Sequence, residues 1–240
     1  MMTWGFMTPL HITTLVLAAA IIAGLYFALR GASRKVQTGV LLSLSLTGIA
    51  AIVYNLLRWD DPLHYLPLHL CSINAMLLPV AVVTRNKTLG NLLLVWCLGA
   101  LAALILNYDV TDAPVFGEVF NFYYFPHVFE FGIPVLLFAL KLIDKDPRCI
   151  GSTMGITMVI YTGVHLCNKV INGLWPAVRA NYMFSIRPNN PLVELFYQVI
   201  PCEYWYMYLV LPIVFVYLVA VYAPEISRAY RNRHAGKRTV

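Results

Sequence analysis

The stretch Thr8–Leu29, TPLHITTLVLAAAIIAGLYFAL, followed at once by Arg30, Arg34 and Lys35, decides the fold. It contains no Asp, Glu, Lys or Arg, and at about 1.5 Å per residue a helix of this length spans the hydrocarbon of a bilayer. Working outward, the pattern repeats. Apolar runs occupy 36–57, 67–85, 88–108, 122–143, 150–174 and 201–222, each bounded by charges or by Gly and Pro. The composition agrees: of 240 residues 60% are apolar or aromatic and 12% charged, and the mean hydropathy is +0.71. A soluble domain carries about twice that charged fraction. A soluble globular enzyme is excluded, and the expected class is all-α: a polytopic membrane protein with seven transmembrane helices. One domain covers 1–222, and 223–240 forms a basic tail. No basic residue precedes Pro9 and no convincing small-residue cleavage site follows Leu29, so the first run is expected to be a span rather than a signal peptide.

Lys and Arg set the expected orientation. Thirteen lie on one side: Arg30, Arg34, Lys35, Arg85, Lys87, Lys141, Lys145, Arg148, Arg228, Arg231, Arg233, Lys237 and Arg238. Only Arg58, Lys169, Arg179 and Arg187 lie on the other. By the positive-inside bias the amino terminus faces out and the carboxyl terminus is cytoplasmic. The net charge of +6 then reports topology and contact of the tail with anionic lipid, not nucleic acid. Cys71, Cys97, Cys149, Cys167 and Cys202 show neither CxxC nor another metal spacing, so a disulfide scaffold is not expected and no cofactor is indicated.

On this topology the unusual polar residues gather in the outer half of the spans, and the cytoplasmic half carries nothing comparable. His11 opens the first span; Asn55 and Arg58 close the second; His69, Cys71 and Asn74 open the third; Asn107 and Asp109 close the fourth. His127 and Glu130 lie on the fifth, Tyr161, His165, Asn168, Lys169 and Asn172 on the sixth, and Cys202, Glu203 and Tyr206 open the seventh. Glu130 and His165 fall about 12–14 Å from the outer helix ends. An ionised group at that depth costs roughly 2.5–3.5 kcal/mol, so these side chains face a polar cavity or one another. Tyr161, His165, Asn168 or Lys169, and Asn172 form one stripe, and the i,i+3 pair His127/Glu130 can interact directly, with Glu130 holding one His127 tautomer. His69 and Cys71, two apart, point roughly 160° from each other on a regular helix and make no obvious dyad, although Pro67 allows an irregular first turn. For each of these residues the alternative is ordinary interhelical packing.

The segment 175–200 is too polar to cross and too apolar to float free. Leu192, Val193, Leu195, Phe196, Val199 and Ile200 give it an amphipathic stripe, read as an interfacial helix or lid. Arg187 either faces a phosphate or carboxylate or is an ordinary interfacial arginine.

Two motifs carry a family resemblance. Leu66-Pro67-Leu68-His69-Leu70-Cys71-Ser72 resembles the LPLHLCS signature of bacterial YwaF-like integral membrane proteins, and Asn181-Tyr182-Met183-Phe184 with Arg187-Pro188 resembles their second motif. The bacterial resemblance implies a bacterial plasma membrane, and these proteins are similar to the eukaryotic transmembrane protein 164 group, which implies phospholipid acyl transfer through a cysteine and a histidine. In that group's motif the cysteine is expected directly before the histidine, where this chain has Leu68, and a histidine close to Phe131. This chain offers Cys71, His127 and Glu130 instead.

The expectation is a lipid acyl-group enzyme of the outer leaflet, with His69, Cys71, His127, Glu130, His165, Asn168 and Lys169 as catalytic candidates. His69, His127 or His165 would act as base, Cys71 as acyl carrier, and Asn168 or Lys169 as oxyanion donor. His11, Asn74, Tyr161, Asn181, Tyr182, Arg187 and Tyr206 are candidates for contacting the substrate, with membrane lipid as substrate or ligand. Two alternatives remain open. One is an intramembrane zinc hydrolase using His11, His69, His127, His165 and Glu130, for which no HxxxH or HExxH spacing is present. The other is a receptor, binder or transporter for a small polar or lipidic ligand.

Overall fold

The computed structural model describes residues 4–58, 62–106, 112, 114, 117, 118 and 120–235. Trp59, Asp60, Asp61, Asn107, Asp109, Lys237 and Arg238 lie outside the described residues. The described chain is all-helical: α1 Pro9–Leu29, α2 Arg34–Arg58, α3 Leu70–Thr84, α4 Lys87–Leu106, α5 Phe125–Ala139, α6 Cys149–Leu174, α7 Pro191–Val199 and α8 Val210–Ala235.

Local chemistry sets several of these ends. Thr8 accepts the His11 N–H at 3.2 Å and Pro9 occupies the first turn, so α1 starts where the apolar run does. Asn190 accepts the Val193 N–H at 3.1 Å ahead of Pro191, and the amphipathic stripe becomes the nine-residue α7. Lys141 takes a left-handed φ of 55°, so the expected fifth span stops at Ala139 and the N–H groups of Leu142 and Ile143 turn back to the Leu137 carbonyl. The expected seventh span begins as a 3-10 turn at Trp205–Leu209, and α8 continues to Ala235, through most of the segment read as a tail.

Six segments among the described residues are long and apolar enough to cross a membrane: Pro9–Leu29, Arg34–Arg58, Lys87–Leu106, Phe122–Ala139, Cys149–Leu174 and Trp205–Arg228. The expected third span is a shorter apolar helix, α3, because the chain at Pro67 and Leu68 is not helical and α3 starts only after His69. Proline disfavours helical backbone in the residue before it, which removes Leu66 from any continuation.

Helices α2, α3, α4 and α5 pack around one another, with α1 against α5 and α6 against α4. Burial is unequal. The apolar windows of α4 and the segment ending in α5 are 56% and 67% buried, against 11% for α6 and α8. The outer helices leave large side chains such as Val16, Val159 and Val216 exposed, an apolar outer surface suited to lipid rather than water. Residues carried inward by α5 and its partner α3 therefore sit at the buried centre.

Polar side chains are not confined to the histidine-bearing half of the bundle, contrary to the sequence expectation. The end of the bundle that collects Arg34, Lys87 and Arg148 also has buried polar groups. Asn91 is fully buried: its amide donates to the carbonyls of Lys87 (2.8 Å) and Asp144 (3.3 Å), and its oxygen accepts from the Asp146 N–H (3.3 Å) and the Tyr222 hydroxyl. Gln37 donates to the Leu29 carbonyl at 2.8 Å, and Arg34 to that of Leu140 at 3.0 Å. These side chains serve backbone groups at helix ends and loops, which have no helical partner of their own. Lys87, 2.7 Å from Asp146, holds that carboxyl below its usual range.

Candidate active site

The centre of the histidine-bearing end is built by α3 and α5. Cys71 is the second residue of α3, where backbone N–H groups lack helical acceptors and favour negative charge. Just ahead of α5 the chain makes a π turn, Phe120–Tyr124, a distortion common near functional sites. Tyr123, within it, offers its carbonyl to His127 Nδ1 at 2.5 Å. A carbonyl only accepts, so Nδ1 carries a proton and Nε2 of the neutral ring keeps the basic lone pair. Nε2 lies 3.9 Å from Glu130 Oε2. The sulfur of Cys71, a ring nitrogen of His127 and a carboxylate oxygen of Glu130 all lie within 4.8 Å of one another. His127 and Glu130 are 8% and 5% exposed.

Two further residues hold this cluster. Pro134 has no N–H to offer the carbonyl four residues before it, that of Glu130. Asn74, one turn after Cys71, donates to that carbonyl at 3.2 Å and so ties α3 to α5 at the cluster. Gly48 of α2 backs the other side: a Cβ there would come 2.7 Å from the Ala75 Cβ and 3.2 Å from Glu130 Oε1. No residue larger than glycine fits without moving α3 or the carboxylate. Two buried acceptors, Glu130 Oε2 and Asn74 Oδ1, have no hydrogen-bond partner among the described residues, which marks a place prepared for a proton donor.

The remaining candidates form a second cluster around the loop 180–187. Asn168 is fully buried and spends its amide on that loop, accepting the Tyr182 N–H at 3.0 Å and donating to the Tyr182 carbonyl (2.8 Å) and Ser185 Oγ (2.9 Å). His165 Nδ1 is 3.1 Å from Ser185 Oγ, and Tyr161 donates to the Tyr204 carbonyl at 2.8 Å. The hydroxyls of Tyr182 and Tyr206 donate to the carbonyls of Leu63 and Phe184. Asn181 accepts from the N–H groups of Ile186 (3.1 Å) and Arg187 (3.2 Å). His69 precedes α3 and turns away from Cys71: it packs on the rings of Tyr182 and Phe184, and its Nδ1 accepts the Met183 N–H at 3.4 Å. Burial between those rings, with His64 nearby, lowers its pKa to about 4.

Two candidates lie apart from both clusters. Lys169 sits at the surface, 3.0 Å from Glu203. His11 is fully buried near α4, accepting the Met7 N–H at 3.2 Å and donating from Nε2 to the Leu104 carbonyl at 2.8 Å. Gly48, the Tyr123 carbonyl and the partnership of Cys71 with His127 were not found by sequence reasoning. Only the proline four residues after Glu130 signalled that a buried donor is needed there.

A model of the TMEM164 family matches residues 6–222. The chain belongs to the TMEM164 family. The match takes in both helices of the Cys71–His127–Glu130 cluster and, with the apolar helices, makes this TMEM164-family chain a multi-pass membrane protein. No curated protein and no solved structure matches it.

Proposed function

We propose that this TMEM164-family protein is a membrane-embedded acyl-group enzyme that takes a fatty acyl chain from a phospholipid onto Cys71 and passes it to an acceptor. The observation that carries the reading is the convergence of thiol, imidazole and carboxylate within 4.8 Å at the buried α3–α5 contact. His127 Nε2 removes the thiol proton as sulfur attacks the ester carbonyl, and Glu130 balances the imidazolium that forms. The imidazolium returns the proton to the departing glycerol oxygen, leaving a thioester on Cys71. An acceptor hydroxyl then gives its proton to His127, attacks the thioester and releases the thiolate, which recovers the proton. The first-turn N–H groups of α3 are the nearest backbone donors in sequence for the oxyanion. We further propose seven crossings, with α3 as the short one, an outward amino terminus, and the site at the outer leaflet of a bacterial plasma membrane. The distribution of Lys and Arg supports that orientation.

The test is to incubate the purified full chain with a phospholipid bearing an isotope-labelled acyl chain, quench in acid, and examine peptides by mass spectrometry. A hydroxylamine-labile acyl group on Cys71, absent from His127→Ala, is the expected result. Acyl transfer that persists in Cys71→Ala overturns the assignment.

The same three side chains favour one second reading, an intramembrane zinc hydrolase, since thiolate, imidazole and carboxylate are all zinc ligands. Stoichiometric zinc in the purified protein supports it, and less than about a tenth of an equivalent removes it.

A further inference from the structure

We propose that the pocket between the chain ahead of α3 and the loop ahead of α7 binds the phosphate of a lipid headgroup. The pocket has a volume of about 180 Å³, and its polar lining is His64, His69, Arg179, Asn181, Tyr182, Arg187 and Asn189, with no carboxylate. The guanidinium of Arg187 donates to the Arg179 carbonyl at 3.4 Å, which holds one arginine over the main chain of the other. Elsewhere at this end cations have acids beside them: Arg58 lies 3.7 Å from Glu118 and Lys169 3.0 Å from Glu203. Among the described residues no carboxylate comes within ion-pair distance of Arg179 or Arg187. Two neighbouring cations repel each other, and an anion between them relieves the repulsion. Planar guanidinium forks match the oxygens of a phosphate. His69 spends Nδ1 on the Met183 N–H, leaving Nε2 as a neutral donor.

The surroundings argue for phosphate that arrives attached to acyl chains. The pocket borders α7, which buries Val193 and Phe196 but exposes Leu192, Leu195 and Val199, an apolar face suited to a bilayer interface. Cys71 follows His69 by two residues, so their Cα atoms are no more than about 7 Å apart. Only a few covalent bonds separate the phosphorus of a glycerophospholipid from its ester carbonyls. A phosphate held here therefore presents an ester near the thiol, and this positioning role rests on the acyl-transfer reading above. A larger groove of about 360 Å³, walled by Val80, Thr84, Leu89 and Ile156 among others, has no charged or histidine side chain in its lining and cannot serve this role.

Native mass spectrometry of the detergent-solubilised full chain carrying Cys71→Ser separates binding from turnover. Three probes are titrated: palmitoyl-oleoyl phosphatidylethanolamine, the diacylglycerol with the same chains, and inorganic phosphate. The phospholipid is expected to bind about tenfold more tightly than the diacylglycerol, and inorganic phosphate to displace it only at millimolar concentration. Adding Arg179→Gln and Arg187→Gln should weaken phospholipid binding about tenfold and leave the diacylglycerol unchanged. Arg187→Lys, which keeps the charge and loses the fork, should fall between and covers the case in which the doubly neutralised chain fails to fold. Equal binding of phospholipid and diacylglycerol, or unchanged selectivity in the folded arginine variants, overturns the proposal. Phosphate that excludes lipid at micromolar concentration overturns the lipid source. Selective binding without an acyl group on wild-type Cys71 defeats only the transfer reading. An acyl-Cys71 with unselective binding defeats only the pocket.

Discussion

Asn74 and Asn91 are both asparagines in apolar helices, both with no exposed surface, and they are used in opposite ways. Asn91 has donors and acceptor occupied by the main chains of Lys87, Asp144 and Asp146 and by Tyr222. Among the described residues Asn74 makes one hydrogen bond, to the Glu130 carbonyl, and neither its own oxygen nor Glu130 Oε2 accepts one. A buried polar group left unsatisfied costs about 1–3 kcal/mol. Asn91 thus spends its amide on holding a helix and loops together, while Asn74 and Glu130 keep acceptors in reserve. The two asparagines are equally buried and differ in how far their hydrogen-bonding groups are satisfied.

The sharpest way to break this contrast is at the thiol. Cys71→Ala and His127→Ala should each lower acyl transfer at least about 10³-fold, as removal of a nucleophile or its base does, with thermal unfolding in detergent nearly unchanged. A large drop in unfolding temperature with activity preserved would put this cluster in the same category as Asn91. Asn91→Leu should do the reverse. It strands several buried groups and is expected to cost about 2–4 kcal/mol of stability, read from unfolding, while activity per folded molecule is retained. Glu130→Gln keeps the shape and removes the charge facing His127, and should reduce turnover about 10- to 100-fold with little change in substrate affinity. Gly48→Ala tests whether α2 fixes the carboxylate: the new methyl group meets Ala75 and Glu130, and a stability loss of about 1–3 kcal/mol together with slower turnover is expected. Smallest of all, Lys169→Ala breaks a pair whose side chains are 55% and 45% exposed, and should shift stability by less than about 0.5 kcal/mol. A larger effect would give the exposed pair a role beyond the surface.

The helices were legible because apolar runs of twenty or so residues have few other uses, and the caps at Thr8 and Asn190 come from side chains that serve that purpose wherever they stand. The individual polar candidates were legible for the same reason, being expensive in such runs. Their grouping was less so. His69 and Cys71 are two apart in the motif, yet the non-helical chain before α3 sends His69 to Tyr182 and Phe184 while the first turn of the helix sends Cys71 to α5. The meeting of Cys71 with His127 depends on how α3 and α5 cross, which no spacing along the chain encodes. The i,i+3 pair His127/Glu130 was readable, but not that the tautomer is held by the Tyr123 carbonyl, because that depends on the π turn. Asn91 and Gln37 were not singled out in the sequence, since their partners are largely backbone groups on other elements.

The length of α3 has a consequence for where a reaction at Cys71 takes place. Fifteen residues measure about 22 Å, some 8 Å less than a hydrocarbon layer of about 30 Å. On the proposed topology Arg85, just past its last residue, stays among the phosphates of one leaflet, and the first turn then ends below the opposite boundary. On that topology the truncated helix sets its sulfur some ångströms below the level of a glycerolipid's carbonyls, so an ester reaches it by dipping further into the bilayer rather than by being pulled out of it.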